Sequence, residues 1–158
     1  MSALPLRTAG QVYVRLPDIP SPAILEVLGR AVVHFAQLEY QLIVAYRRAT
    51  PGATLPAAIQ ERGGDTLGHL VKDLQKLAEN GNAKLQAISA HLQRIGELAK
   101  IRNRYVHIGF ARRTHDQAWV FLKFGTETSE AAMLKELHDV SAEVATLIAQ
   151  LQQNIPKQ

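Results

Sequence analysis

The sequence predicts an all-α protein, an antiparallel bundle of four to five helices with a small β-hairpin before the last helix. Apolar residues recur three or four positions apart over four long segments, which is the spacing of one face of an amphipathic helix. Two short strand-like stretches flank a polar turn at residues 114–117, which indicates a hairpin. The 158 residues, 47% of them apolar, suffice for one domain with its own core.

The first predicted helix follows an arm at residues 1–20, which we expect to be irregular apart from a short alternating stretch at 11–15. Ser21 suits the N-cap, and Pro22 suits the first helical position because it has no amide hydrogen to leave unsatisfied. The helix ends near Thr50-Pro51-Gly52. Its apolar face repeats through Leu25, Leu28, Val32, Phe35, Leu38, Leu42 and Ala45.

Two further helices follow a loop at residues 51–64, in which we expect one short helical turn. Asp65 suits the cap of the second helix. Asn80-Gly81-Asn82 ends that helix, because Gly and Asn readily adopt the left-handed conformation after a last turn. The third helix is predicted over residues 83–108, and Gly109 ends it.

The hairpin is predicted from strands at residues 110–113 and 118–124. A turn at 125–129 then leads into the last helix, at 130–153. No repeat, low-complexity tract or linker divides the chain, so we expect a single domain over residues 21–155.

The composition excludes several classes of protein. The absence of cysteine excludes a disulfide framework, a thiolate zinc site and a cysteine nucleophile. The longest predicted helix, at residues 22–49, carries six charged or histidine side chains, and the N-terminal stretch lacks a basic start followed by an apolar run. We therefore expect a cytoplasmic protein with no membrane partner. We also expect no cofactor and no metal, because no three side chains have the spacing of a metal site.

The positive charge is concentrated in one window. The net charge is +4, and residues 94–113 contain six Arg and Lys against one acid, so the rest of the chain is slightly negative. A solvated helix face is the simplest interpretation of such a cluster. Alternatively, the cluster contacts phosphate groups through Lys100, Arg104, Arg112 and Arg113.

Three side chains in this window have complementary chemistry. Arg102, Asn103 and His107 occupy a helical track that is apolar until Ile95. His107 exchanges a proton near neutral pH, Asn103 lies one turn earlier and can orient the imidazole, and Arg102 can hold a phosphate bidentately. These groups suffice to cleave RNA without metal: a base takes the 2′-hydroxyl proton, and a cation stabilises the charge on the phosphoryl oxygens. One histidine cannot easily be both base and acid, so a second copy of the chain would supply the other.

The pattern Arg102-Asn103-x-x-x-His107 resembles the Arg-polar-x-x-x-His signature of HEPN domains (higher eukaryotes and prokaryotes nucleotide-binding). It stands near the end of a late helix, after the run at residues 95–101. The first helix, with Phe35-x-x-Leu38-Glu39-x-x-Leu42, is similar to the first helix of many such domains. The resemblance covers residues 21–153. It implies a helical bundle that dimerises so that two motifs face each other in a cleft.

Many members of this family are metal-independent endoribonucleases of toxin–antitoxin, abortive-infection or other defence systems. The resemblance therefore implies that Arg102 and His107 are catalytic and that Asn103 is the polar residue of the motif. It also implies RNA or a nucleotide as the ligand, a homodimer, and a protein antitoxin as a further partner. Glu39 sits beside the Leu38/Leu42 stripe and, like Tyr105, is a candidate for a supporting position behind the motif. A surface or capping role is the alternative for Glu39.

The chain departs from one large subgroup of the family. Gly109 stands where that subgroup has a tyrosine, two residues after the histidine, which argues against control by nucleotidyl transfer onto that side chain. Some family members have lost catalysis and only bind nucleotides or proteins. A non-catalytic module that binds a nucleotide, RNA or a protein is therefore the alternative function, and a purely structural bundle is a weaker one.

Overall fold

The computed structural model describes residues 6–8, 11–14, 21–52, 54–62, 66–106, 109–113, 115–116, 118–123 and 126–154. Six helices lie in these ranges: α1 (Pro22–Ala49), α2 (Leu55–Arg62), α3 (Leu67–Glu79), α4 (Ala83–Gln86), α5 (Ser89–Val106) and α6 (Glu130–Asn154). Five strands accompany them: β1 (Leu6–Thr8), β2 (Gln11–Val14), β3 (Gly109–Arg113), β4 (Trp119–Lys123) and β5 (Thr126–Ser129). The predicted helical bundle is confirmed.

Local capping chemistry determines where the helices begin. The Ser21 hydroxyl accepts a hydrogen bond from the Ile24 amide at 3.4 Å, so the predicted cap of α1 is confirmed. The cap of α3 is Thr66, whose hydroxyl accepts from the His69 amide at 3.3 Å. The prediction of Asp65 as that cap is wrong by one residue, since a Thr side chain serves the same purpose; Asp65 itself lies outside the described residues.

The predicted third helix is divided into α4 and α5. Between them the Ile88 amide donates to the Leu85 carbonyl at 3.0 Å, a bond to the third preceding residue that tightens the chain into a turn. Leu85 and Ile88 are both buried in the main core, which holds the tight turn in place. The loop after α1 also contains more helix than predicted, because α2 extends over eight residues.

Contacts between side chains give the directions of the helices. Arg94 pairs with Glu143 and Arg104 pairs with Glu136, so α5 and α6 are antiparallel. By contrast, α1 and α6 lie side by side in parallel. Ser21 donates to Glu130 at their starts, and the His34 ring lies 2.8 Å from the Ser141 hydroxyl further along.

The strands form one antiparallel sheet in the order β1-β2-β3-β4-β5. The predicted hairpin is confirmed as β3 and β4, with Phe110 opposite Phe121. The sheet is larger than this hairpin. Residues 1–20 are not simply an irregular arm, because they contribute β1 and β2, and β2 pairs with β3 through Val14 and Arg112. The predicted turn at 125–129 is also wrong, since residues 126–129 pair with β4 as strand β5.

The sheet explains the parallel packing of α1 and α6. Strand β2 precedes α1 and pairs with β3, which follows α5, while β5 leads directly into α6. Consequently α1 and α6 both start at the sheet, and α5 ends there. The C-terminal turn of α5, where the Arg-Asn-x-x-x-His motif begins, therefore lies next to the sheet.

Two groups of buried side chains form the core. The main group joins α1, α3, α5 and α6 and includes Leu38, Leu74, Leu92 and Val144. A second group surrounds Tyr105 near the sheet and contains Ile24, Ala31, Met133 and Leu137. Within the described residues, no helix combines the length and the hydrophobicity that crossing a bilayer requires.

Candidate functional site on helix α5

The candidate residues of α5 point to three different neighbours. Lys100 and Asn103 line a groove between α5 and α3. Arg102 faces Glu39 on α1. Arg104 and Tyr105 both contact Glu136 on α6. The structure therefore divides the predicted site into a part around Arg102 and Asn103 and a part held by α6.

Arg102 keeps most of its hydrogen-bonding capacity. Its Nη1 donates to Asn103 Oδ1 at 3.3 Å, and its Nη2 lies 3.7 Å from Glu39 Oε1, within ion-pair range but beyond a hydrogen bond. The Arg102 side chain is 32% exposed. Its remaining N–H groups donate to no other described residue, so a phosphate can reach the guanidinium from solvent.

Glu39 was predicted as a supporting residue, and the structure brings it to Arg102. Such a partly exposed pair contributes only about 0–1 kcal/mol to stability. The Arg102 guanidinium and the Glu39 carboxylate are not hydrogen-bonded. A phosphate group can therefore bind the guanidinium beside the carboxylate, or displace the carboxylate, at little cost in free energy. Glu39 thus holds the guanidinium near α1 without saturating it.

Arg104 and Tyr105 are anchored by an acid that the sequence did not predict. Arg104 Nη1 donates to both oxygens of Glu136, at 3.0 and 3.3 Å. The buried Tyr105 hydroxyl donates to the same carboxylate. No sequence pattern links Glu136 to the motif, because it lies on the next helix, after strands β3, β4 and β5. The Tyr105 side chain therefore fixes α5 against α6 and has no described contact with Glu39.

Replacing Tyr105 by phenylalanine tests this anchor through pH. Burial and the Glu136 carboxylate raise the pKa of the Tyr105 hydroxyl well above its ordinary value of 10.0. The stability from this protonated hydroxyl is therefore present below pH 10 and is lost as the pH rises towards the folded pKa. We expect Tyr105→Phe to lower the free energy of unfolding by about 1 kcal/mol near neutral pH. As the pH is then raised, the free energy of unfolding should fall less in this variant than in the wild type.

The measurement is urea unfolding at about pH 8 and about pH 11, below and above the ordinary tyrosine pKa. Tyr46→Phe is the comparison variant: Tyr46 also has a raised pKa but contacts Glu61 through an exposed hydrogen bond, so its removal should reduce the alkaline loss less than Tyr105→Phe does. Equal alkaline losses in wild type and Tyr105→Phe would show that the Tyr105 anchor does not exist.

Carboxylates neutralise part of the positive charge at residues 94–113. Arg94 donates to Glu143 at 2.5 and 2.8 Å and to Glu97 at 2.6 Å. The same contact lowers the pKa of Glu143. With Arg104 on Glu136 and Arg102 near Glu39, three of the cations already have carboxylate neighbours. Lys100 has no ion pair with a described residue, and its exposed ammonium faces the groove.

The groove between α3 and α5 has a volume of about 470 Å³. Its polar lining residues include Lys72 and Gln75 from α3, and Gln93, Lys100 and Asn103 from α5. Lys72 and Gln75 were not among the predicted site residues. The only available signal was their position on the polar side of a leucine-patterned helix, which is ordinary for surface residues.

Three predicted site residues lie wholly or partly outside the described residues. His107 is one of them. Arg112 and Arg113 belong to β3, where their backbones pair with Val14 and Tyr13 of β2, and their side chains are outside the described part. No three His, Asp or Glu side chains converge as a metal site in the residues that the structure describes.

Comparisons with known proteins add no assignment: no family model, no curated protein and no solved structure matches the chain significantly.

Proposed function

We propose that the chain is a metal-independent endoribonuclease of HEPN type that acts on RNA as a cytoplasmic homodimer. The observation that carries this proposal is the guanidinium of Arg102, which is held by Asn103 and Glu39 with N–H groups to spare. It stands five residues before His107 in the Arg-Asn-x-x-x-His pattern. A toxin or phage-defence role with a protein antitoxin belongs to the same proposal and rests on the family resemblance.

The proposed reaction is an internal transesterification. His107 of one copy takes the proton of a ribose 2′-hydroxyl, and the 2′-oxygen attacks the adjacent phosphorus. Arg102 stabilises the negative charge that grows on the non-bridging oxygens. The bond to the 5′-oxygen breaks, and that oxygen takes a proton from His107 of the second copy. The products are a 2′,3′-cyclic phosphate and a 5′-hydroxyl.

An exposed apolar stripe on α1 supports the homodimer. Its large members are between 42% and 54% exposed and recur at helical spacing: Leu25, Val32, Val33 and Tyr40. Gly29 and Ala36 lie within the stripe, and the one titratable side chain between positions 32 and 36 is His34, whose ring contacts Ser141 of α6. Glu39 adjoins the stripe, so a copy packed there lies close to Arg102.

Val33→Glu tests the dimer. A carboxylate placed in the centre of an apolar interface must be desolvated without a partner, so we expect dissociation into folded monomers and at least about a tenfold loss of RNA cleavage. Sedimentation and cleavage are measured together. Ala142→Glu, on the exposed face of α6, is the matched control and should change neither. A dimeric Val33→Glu protein would contradict this interface.

The function itself is tested by incubating the full chain with RNA in EDTA. Cleavage under these conditions is the expected result, and cleavage that requires a divalent metal would refute the mechanism. Salt-sensitive RNA binding without any cleavage would instead establish the non-catalytic module.

A further inference from the structure

We propose that the groove between α3 and α5 binds a segment of single-stranded RNA next to the phosphate that is cleaved. This inference rests on the proposed function, since it assigns the path of that enzyme's substrate. It adds Lys72 and Gln75 of α3 to the predicted catalytic and phosphate-binding residues, which lie between positions 100 and 113.

The charge of the groove favours a polyanion. Lys72 and Lys100 line it from opposite helices, and both are exposed without an ion pair to a described residue. Among the described lining residues the one acid is Glu97, whose carboxylate accepts from Arg94 at 2.6 Å. The two lysines are therefore the uncompensated charges of the groove, in contrast to Arg94 and Arg104.

The other lining groups suit a nucleotide chain. Gln75, Gln93 and Asn103 carry side-chain amides, which donate to and accept from base edges and ribose hydroxyls. The floor is formed by small residues, and a Cβ at Gly96 would lie 3.6 Å from Val71 Cγ1, so the two helices are close there. A volume of about 470 Å³ takes a nucleotide or two of an extended strand and excludes a duplex.

Asn103 connects the groove to the motif. Its side chain lines one end of the groove, and its Oδ1 accepts the hydrogen bond from Arg102. Because Asn103 and Arg102 are adjacent, an RNA strand that lies in the groove reaches the Arg102 guanidinium at this end. Lys72 and Lys100 then hold phosphates that follow, along the groove, the one contacted by Arg102.

The test uses His107→Ala protein, so that binding is measured without cleavage. The probe is a fluorescein-labelled, unstructured oligoribonucleotide, titrated at several salt concentrations. We expect Lys72→Gln with Lys100→Gln to raise Kd about tenfold and to reduce the slope of log Kd against log salt by about 1.4, the value for two contacts to a single strand. Lys76→Gln with Lys135→Gln removes the same charge outside the groove and should leave Kd within about twofold.

A second variant separates shape from charge. A Cβ added at Gly68 would meet no other atom within 4 Å, so the side chain of Gly68→Phe starts in open space and is designed to fill the groove. We expect it to weaken RNA binding while the slope of log Kd against log salt stays near the value of the parent protein. If the double lysine variant does not fold, Gly68→Phe alone tests whether the groove binds RNA.

The outcomes distinguish the groove from the enzyme. If the wild type cleaves RNA in EDTA but both groove variants bind like their parent, the groove assignment is overturned and the proposed function stands. If the wild type never cleaves but the groove variants lose affinity, the function fails and the groove remains an RNA-binding site.

Discussion

Arg102→Ala is expected to lower kcat for RNA cleavage about 100- to 1,000-fold, the usual effect of removing one group that stabilises transition-state charge. The reason is the geometry of its guanidinium, which is partly exposed and keeps N–H groups free beside Asn103 and Glu39. Arg102→Lys should restore only part of the rate, because lysine keeps the charge and loses the bidentate fork. Single-turnover cleavage in EDTA measures both.

Arg104→Ala is the matched control for this change. Arg104 lies two residues further along α5 and has the same charge, but Glu136 occupies its guanidinium through two hydrogen bonds. Both substitutions remove partly exposed ion pairs, which contribute about 0–1 kcal/mol, so both proteins should fold. If Arg104→Ala lost as much activity as Arg102→Ala, the distinction that the structure makes between the two arginines would be mistaken.

His107→Ala is expected to have the larger effect, a loss of about 100- to 10,000-fold in kcat, as general acid–base groups typically contribute. KM should change little, because binding depends on the cations of the groove and not on the imidazole. The rate is measured in EDTA across neutral pH, where an imidazole titrates. His138→Ala removes an exposed histidine of α6 and should keep full activity. Equal rates for His107→Ala and wild type would exclude the proposed chemistry.

Helices were predictable because their signals are local. Ser21 and Pro22 start α1 as expected, and the apolar repeat of α6 gives its extent to within a residue. The sheet was only half predictable. The hairpin of β3 and β4 is joined by a short turn, but β2 pairs with a strand that lies beyond five helices, and β5 is the polar run Thr126–Ser129. Neither pairing leaves a trace in neighbouring residues.

The site shows the same division. The adjacency of Arg102 and Asn103 follows from the sequence, and the approach of Glu39 was anticipated from its place beside the Leu38 stripe. The charges were harder to interpret. Within the window of net charge +5, acids such as Glu136 and Glu143 pair with some of the cations in space, whereas Lys72 joins Lys100 from another helix. Compensation and convergence between helices depend on tertiary packing, which residue spacing alone does not reveal.

The most direct measurement of the central claim compares one oligonucleotide sequence with ribose and with 2′-deoxyribose, both in EDTA. The attack by a 2′-hydroxyl predicts that wild-type protein cleaves the RNA to fragments ending in a 2′,3′-cyclic phosphate and leaves the deoxy strand intact. Cleavage of the deoxy strand, or RNA cleavage that appears only when a divalent metal is added, would contradict the account.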